Sequence, residues 1–489
     1  MRRESEFPMS GQERILEYMR KRRAEMTRDL MRLARIPSVQ AEGEQNAPFG
    51  RECARCLREA AALFRENGFE VREYPDSGYA LCEMGKGDRC VGLFAHLDVV
   101  PANEADWLLT RPFEPVEQDG FLIGRGVNDN KNGAIAALYL MKAVRELQLP
   151  LNGRLLVFLG TNEESGMKDV AAFVREQPLP DASLVPDSGF PLSLGERGIL
   201  RADVTAERPL RDVLELNGGK AYNTVLSSLV CRVKKSERRR NWLEAHARAW
   251  LTVTEEEDAL RLEARGVAAH AGHPADGENA LARLCGLLQD CEELCEADRE
   301  LLRAVARLLS DTDGTALGIA GSDPVLGRLT AANGIARLDG GRLTFTLDVR
   351  HGESVTGEEL LGALSRTLAP QGFSIRMHSD ARAFTIAPDD PLAQALLAAY
   401  RKASGDRERE PYYMNGGTYC KYLPHAFATG TNRHAGPYLT LPKGHGNAHE
   451  ADECLSVEGW INGCAILCGM ALELDACLGA SPGASYHEK

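Results

Sequence analysis

The sequence predicts an α/β fold, a central sheet flanked by helices, with a separate α+β domain inserted into it. Three observations carry this expectation. Across residues 1–198, apolar runs of strand length alternate with helical stretches, and several runs end on a histidine or a carboxylate. Across 199–384 the pattern shifts to alternating strands with two leucine-rich helical stretches. Across 385–489 the earlier character returns and closes in a long apolar helix that needs a core to bury against. The middle therefore reads as an insertion, and 489 residues are too many for one simple core.

Apolar residues Ile15, Leu16, Met19, Met26, Leu30 and Leu33 recur at helical spacing, so residues 12–35 read as one amphipathic helix ending before Pro37. A second helix spans 51–67 and stops at Gly68. Strands follow over 69–74 and 79–84, and then comes VGLFAHLDVVP, residues 91–101. There an apolar strand ends abruptly in His96-Leu97-Asp98, two polar groups that share one face of an extended chain. A polar loop holding Asp129 precedes a helix that opens near Asn132. The strand RLLVFLGT delivers Glu163 and Glu164, and ASLVPDSGFP delivers Asp187. Ligands of α/β sheets gather beyond the carboxyl ends of strands, so these groups could share one crevice. In the insertion, strands are expected at 251–254, 259–264 and 342–349, and a later helix at 392–403.

Composition narrows the function classes. A net charge of −13 argues against binding a phosphate backbone. Thirteen cysteines, mostly in apolar helical contexts such as Cys464 and Cys468, match the usage of a reducing compartment. Cys53-x-x-Cys56 has no second CxxC and reads as part of a helix rather than a zinc or redox site. The N-terminus is charged throughout with no signal-like apolar core, and no window reaches a transmembrane length of apolar residues. The expectation is a soluble cytoplasmic protein without nucleic-acid or membrane partners. Met9 is an alternative start to Met1, which would make the first eight residues dispensable.

His96, Asp98, Asp129, Glu163, Glu164, Asp187 and a late histidine have the chemistry of a catalytic zinc site. Two zinc ions, three carboxylates and one hydroxide sum to zero charge, which a partly desolvated site needs. Of the pair Glu163-Glu164, one can bind metal while the other takes the proton of water.

The motifs HLDVVP, GRGxxDxK, EESG, and PDSGFP followed by GERG lie within residues 96–198, and the likeness they carry runs from LARIPSV to the last helix. On them the sequence resembles the zinc-dependent amidohydrolases that include aminoacylase, acetylornithine deacetylase, desuccinylase, carnosinase and dipeptidase V. The phrases PFG at 48–50, RPFEPV at 111–116 and ELQLPLNGRLLVFLGT are most similar to the dipeptidase V branch. The resemblance implies a zinc-peptidase-like catalytic domain with a central mixed sheet, and a lid formed by the insertion. It implies that Asp129 bridges two Zn2+, with Mn2+ or Co2+ able to substitute. His96 and Asp187 would complete one site, and Glu164 and His449 the other. Asp98 would orient His96, and Glu163 would be the general base and later proton donor.

Of the late histidines 425, 434, 445 and 449, His449 in HEADE matches the family pattern, with His445 the runner-up. His270 matches the lid histidine that stabilises the oxyanion, His273 being the neighbouring alternative. Asn223 and Arg350 match lid positions that contact substrate, the arginine suiting a terminal carboxylate by its forked geometry. Gly416, Gly417 and Thr418 match a glycine-rich loop lining the substrate pocket. The implied activity is hydrolysis of dipeptides by a monomer, with a homodimer the alternative. An N-acyl amino acid deacylase would share every ligand, whereas a non-catalytic binding relative would have lost Glu163 or a ligand, and here all are present. Two departures from the family pattern stand out: Asp129-Asn130-Lys131-Asn132 replaces Asp-Asp-Lys-Gly, and Asn162 replaces the Asp before the glutamate pair. The resemblance further implies a cis peptide between Asp129 and Asn130.

Overall fold

A computed structural model describes residues 9–434 and 439–480; the question of an alternative start at Met9 turns on residues outside these. The chain divides into two compact units. The first comprises 1–194, 386–412 and 418–489, and the second 195–385 and 413–417.

The first unit is built on a six-stranded mixed sheet. Its strands are β1 (Val71–Tyr74), β2 (Tyr79–Gly85), β3 (Cys90–His96), β4 (Arg154–Gly160), β5 (Ala182–Ser188) and β6 (Ala426–Gly430), in the spatial order β1-β2-β4-β3-β5-β6. β1 and β2 are antiparallel to their neighbours, while β4, β3, β5 and β6 run parallel. Every residue of β3 is buried, as expected of a parallel strand covered on both faces. Because β3, β4 and β5 run the same way, His96, the Glu163-Glu164 loop and Asp187 all emerge at one edge. A small sheet completes that edge: Cys454–Ser456 pairs antiparallel with Phe121–Ile123, which pairs with Val116–Gln118.

Two sequence expectations are corrected here. The helix expected over 12–35 is two helices, Gly11–Lys21 and Arg23–Ala34, with Arg22 ending one and starting the other. Between Met19 and Met26 the only apolar residue is Ala24, so no continuous stripe holds the two halves in line. The expectation that no window reaches transmembrane length also fails, since Val457–Ala480 is long and apolar enough. Its buried residues run round the helix, from Trp460 and Ile461 to Leu474 and the carboxylate of Asp475, so it is a core helix of this unit.

The second unit holds a nine-stranded sheet whose pairings are antiparallel. Strand Ser228–Lys234 alternates buried and outward residues, with Leu229, Cys231 and Val233 facing the core. Helices Ala280–Leu288, Glu296–Leu308 and Gly357–Leu368 pack their leucines onto that core. The short segment 413–417 groups with this unit although its flanking residues belong to the other.

In the core helix, Gly459 and Gly463 face the backbone that continues from β6, and a Cβ on Gly463 would overlap the Thr431 carbonyl oxygen. Gly463→Ala is therefore expected to destabilise the fold by about 1–3 kcal/mol through overpacking. Gly286, within a helix of the second unit, has nothing within 4 Å of such a Cβ. There Gly→Ala should stabilise, by up to about 1 kcal/mol from helix propensity. Denaturant unfolding of both variants checks the pair.

Candidate metal centre

The ends of β3, β4 and β5, with the loops that carry Asp129 and His449, place two imidazoles and three carboxylates in contact. His96 Nε2 lies 3.0 Å from Asp129 Oδ1 and 3.6 Å from Asp187 Oδ2. His449 Nε2 lies 3.0 Å from both Asp129 Oδ2 and Glu164 Oε1. Asp129 thus offers one oxygen to each histidine. The result is two donor triads, His96–Asp129–Asp187 and Asp129–Glu164–His449, each with its ligand atoms within 4.8 Å of one another.

Each donor is held from behind. His96 closes β3 and is buried, with its Nδ1 3.0 Å from the Asp98 main-chain carbonyl and 3.5 Å from the Asp98 carboxylate. The Asp98 carboxylate accepts the main-chain N–H groups of Glu163 and Glu164, both at 3.1 Å. The Asp129–Asn130 peptide is cis, as the family resemblance implied. The Asn130 amide donates to Asp187 Oδ1 at 3.0 Å and to the Pro186 carbonyl at 2.7 Å. His445, by contrast, is turned to Asp452, 2.7 Å from Nδ1.

The electrostatics follow from crowding acids out of water. Burial and the charge of Asp187 push Glu163 well above the usual carboxylate range. Burial and Asp129 raise Glu164 to about 7. Against the cost of burial, Glu164 and Asp129 raise His449 to about 11, and Asp187 and Asp129 raise His96 well above an ordinary imidazole. Glu163 Oε1 is buried without a hydrogen-bond partner among the described residues.

The donor chemistry fits divalent cations. Imidazole and carboxylate are the ligands of zinc and its neighbours. His96 Nε2 is buried and aimed between two carboxylates without making a well-directed hydrogen bond to either.

Several supporting residues were not singled out from sequence as part of the site. Glu453 is fully buried and accepts N–H groups from Gly126, Asn128 and Asp129 at 2.8–3.0 Å. It also pairs with buried Arg125 at 2.8 Å. Lys131 is buried and donates to the Ile36 carbonyl at 2.8 Å. Arg125 and Lys131 were visible in GRGxxDxK and Glu453 in HEADE, but nothing in a linear motif says that they meet.

The other predicted residues lie elsewhere. Asn223, His270, Arg350, Gly416 and Gly417 belong to the second unit, and Thr418 to the first. Within the second unit, the Asn223 carbonyl accepts from Ala271 N at 2.9 Å, next to exposed His270. His270 Nδ1 accepts from Gly272 N at 3.1 Å, and His273 Nε2 meets Asn415 Nδ2 at 2.9 Å. Arg350 is buried, and its Nε and Nη2 are occupied by Asp348 at 2.5 and 3.2 Å. Its Nη1 reaches the Asn415 carbonyl at 3.3 Å. The fork expected for a substrate carboxylate is therefore largely engaged by Asp348, two residues away on the same face of the strand. Thr418 Oγ1 caps the turn Tyr419–Tyr422.

Residues 92–473 match Peptidase family M20/M25/M40. The chain belongs to this family. It is an enzyme, a metal-dependent peptidase whose fold is the α/β catalytic and α+β lid architecture expected of it. A Staphylococcus saprophyticus relative named “Putative dipeptidase” is 29% identical over 421 residues, 82% of this peptidase and 88% of the relative. A Staphylococcus epidermidis protein of the same name is 27% identical over 438 residues, 86% and 91% of the two chains. Human carnosine dipeptidase 1 shares the fold with a TM-score of 0.58 at 17% identity, covering 95% of this chain and 100% of that one. An aminoacylhistidine dipeptidase from Vibrio alginolyticus does so with a TM-score of 0.52 at 16% identity, covering 92% and 96%.

Two expected outcomes follow from this geometry. Glu453→Ala strands the Arg125 charge and three main-chain donors. It should cost about 3–5 kcal/mol of stability and weaken divalent-metal affinity about 10–100-fold. Denaturant unfolding and metal titration read the two effects separately. The second concerns protons. Against the cost of burial, the acids around them raise His96 and His449 above an ordinary imidazole, and burial with Asp129 raises Glu164, whereas ligation requires all three without their protons. Metal uptake should therefore release protons, and affinity should rise with pH and fall as pH drops through the neutral range. Calorimetry in buffers of different ionisation enthalpy would show this, and uptake without proton release would contradict it.

Proposed function

We propose that this peptidase hydrolyses dipeptides, holding two zinc ions at the paired triads and using Glu163 as the general base. The observation that carries the reading is the shared carboxylate: Asp129 faces both histidines, while Glu163, next in sequence to a ligand, keeps its buried Oε1 without a hydrogen-bond partner among the described residues. The relatives named as dipeptidases support the choice of substrate.

Divalent cations, when bound, supply Lewis acidity that polarises the scissile carbonyl and lowers the pKa of water towards neutrality. His96 and Asp187 would hold one ion, Glu164 and His449 the other, and Asp129 both. The chain's own residues do the rest. Glu163 Oε1 accepts the proton of the attacking water and returns it to the leaving amine. Asp98 fixes where Glu163 stands by taking its main-chain N–H. For the second unit, we assign substrate contact to Asn223 and Arg350 and oxyanion stabilisation to His270, and pocket lining to Gly416, Gly417 and Thr418. Nη1 of Arg350, which Asp348 does not take and which donates to the Asn415 carbonyl at 3.3 Å, is the edge assigned to that contact. We further assign a monomeric, cytoplasmic enzyme that can also run on Mn2+ or Co2+. Buried Cys53, Cys56, Cys464 and Cys468 are free thiols, in keeping with a reducing compartment.

The test sets free dipeptides, β-alanyl-histidine among them, beside N-acetyl and N-succinyl amino acids, with chelator controls. Cleavage of the free dipeptides, abolished by chelator, is expected, and Glu163→Gln should retain its metals while losing at least about 100-fold in turnover. Cleavage confined to the acylated compounds would move the enzyme to the deacylases. A Glu163→Gln variant as active as the parent would remove Glu163 from the role of base.

A further inference from the structure

Four successive main-chain N–H groups at the end of β4 are taken by two buried carboxylates. Asp98 accepts those of Glu163 and Glu164, and Asp169 those of Thr161 and Asn162, at 2.7 and 2.8 Å. Both Asp169 contacts fall on one atom, Oδ2, which also accepts the Tyr419 hydroxyl at 2.5 Å. Oδ1 is occupied by the Val170 N–H at 2.8 Å. Asp169 and Tyr419 are fully buried. The fit leaves no slack: a Cβ on Gly160, the last residue of β4, would overlap both the Tyr419 hydroxyl and Asp169 Oδ2.

The Tyr419 ring adds a second contact. It stands edge-on to the ring of His96, centroids 6.4 Å apart and planes at 88°, and edge-on to Phe158 of β4 at 5.4 Å. One side chain therefore touches the imidazole at the end of β3, the body of β4, and the carboxylate that sets the course of the loop after β4. A hydrogen bond to a buried charged acceptor is among the stronger ones in a protein, and removing its donor leaves the carboxylate under-satisfied. Neither Asp169 nor Tyr419 belongs to a donor triad of the centre among the described residues.

We propose that Asp169 and Tyr419 form a positioning pair for the general base, fixing the β4 exit so that Glu163 stands correctly against the reacting atoms. The inference rests on the reading of Glu163 as the base. The pair acts through the backbone of Thr161 and Asn162, and a displacement of well under the length of a side chain at a catalytic group is enough to slow turnover.

The test uses the metal-loaded full chain and the dipeptide that the parent cleaves fastest. Tyr419→Phe keeps the ring and removes only the hydroxyl. It should lower kcat about tenfold, the lower end of what losing a supporting contact typically costs, with KM and metal content unchanged and the thermal midpoint lowered by the lost hydrogen bond to the buried carboxylate. Asp169→Asn should show the same pattern with a larger fall in kcat, because the amide cannot serve all four donors. A Tyr419→Phe kcat equal to the parent's, or one that falls only in step with metal content or folded fraction, overturns the proposal. No turnover by the parent, or full turnover by Glu163→Gln, instead strikes the proposed function or the base, and this pair falls with it.

Discussion

Main-chain amides held by buried carboxylates are the constraint on which this centre depends. Seven acidic side chains, Asp98, Asp129, Glu163, Glu164, Asp169, Asp187 and Glu453, gather at one edge of the sheet, and each would repel the others and seek water. Asp98, Asp169 and Glu453 do not join the donor triads; they pin the loops that carry them. Between them they accept seven main-chain N–H groups of the loops carrying Asp129, Glu163 and Glu164. At Asp169 and Glu453 burial raises the carboxyl pKa and the accepted N–H groups work against that rise, while the loop each binds loses the freedom to move.

Buried cations complete the balance underneath. Arg125 neutralises Glu453, and Lys131 lies under the loop with its ammonium on a backbone carbonyl. Burial lowers the Lys131 pKa, while the negative field of Glu453 and Asp98 opposes that shift. The two side chains flank Asp129 in sequence, so the motif that supplies the shared carboxylate also supplies the charges that support it.

The departures from the usual family pattern are used by the fold. Asn130, where an aspartate is usual, turns its amide to Asp187 and the Pro186 carbonyl, a pair of bonds that an ionised aspartate could not donate. Asn162 accepts from the Lys168 N–H and donates to Ser165, closing the short loop between the glutamate pair and the next helix.

The sequence alone determined the periodic elements and the local chemistry. An apolar run ending in HLD, a second ending in NEE and a third ending in PDS state which residue types stand at strand ends, because strand period and burial are local properties. The burial of Val457–Ala480 was expected from its apolar composition, and the break at Arg22 follows a gap in the apolar stripe that the helical period alone reads through. Which surface each helix meets was not legible. Tertiary structure alone decided that β3, β4 and β5 lie side by side in parallel, and so that residues 96, 163–164 and 187 share one edge. It also decided that Glu453, more than three hundred residues from Asp129 in the chain, takes the N–H groups of the Asp129 loop. Only the folded chain shows Arg350 spent on Asp348, since a motif records that an arginine is present and not what it holds. Hydrogen bonds join whatever the fold brings within about 3 Å, and that proximity is a property of the whole chain.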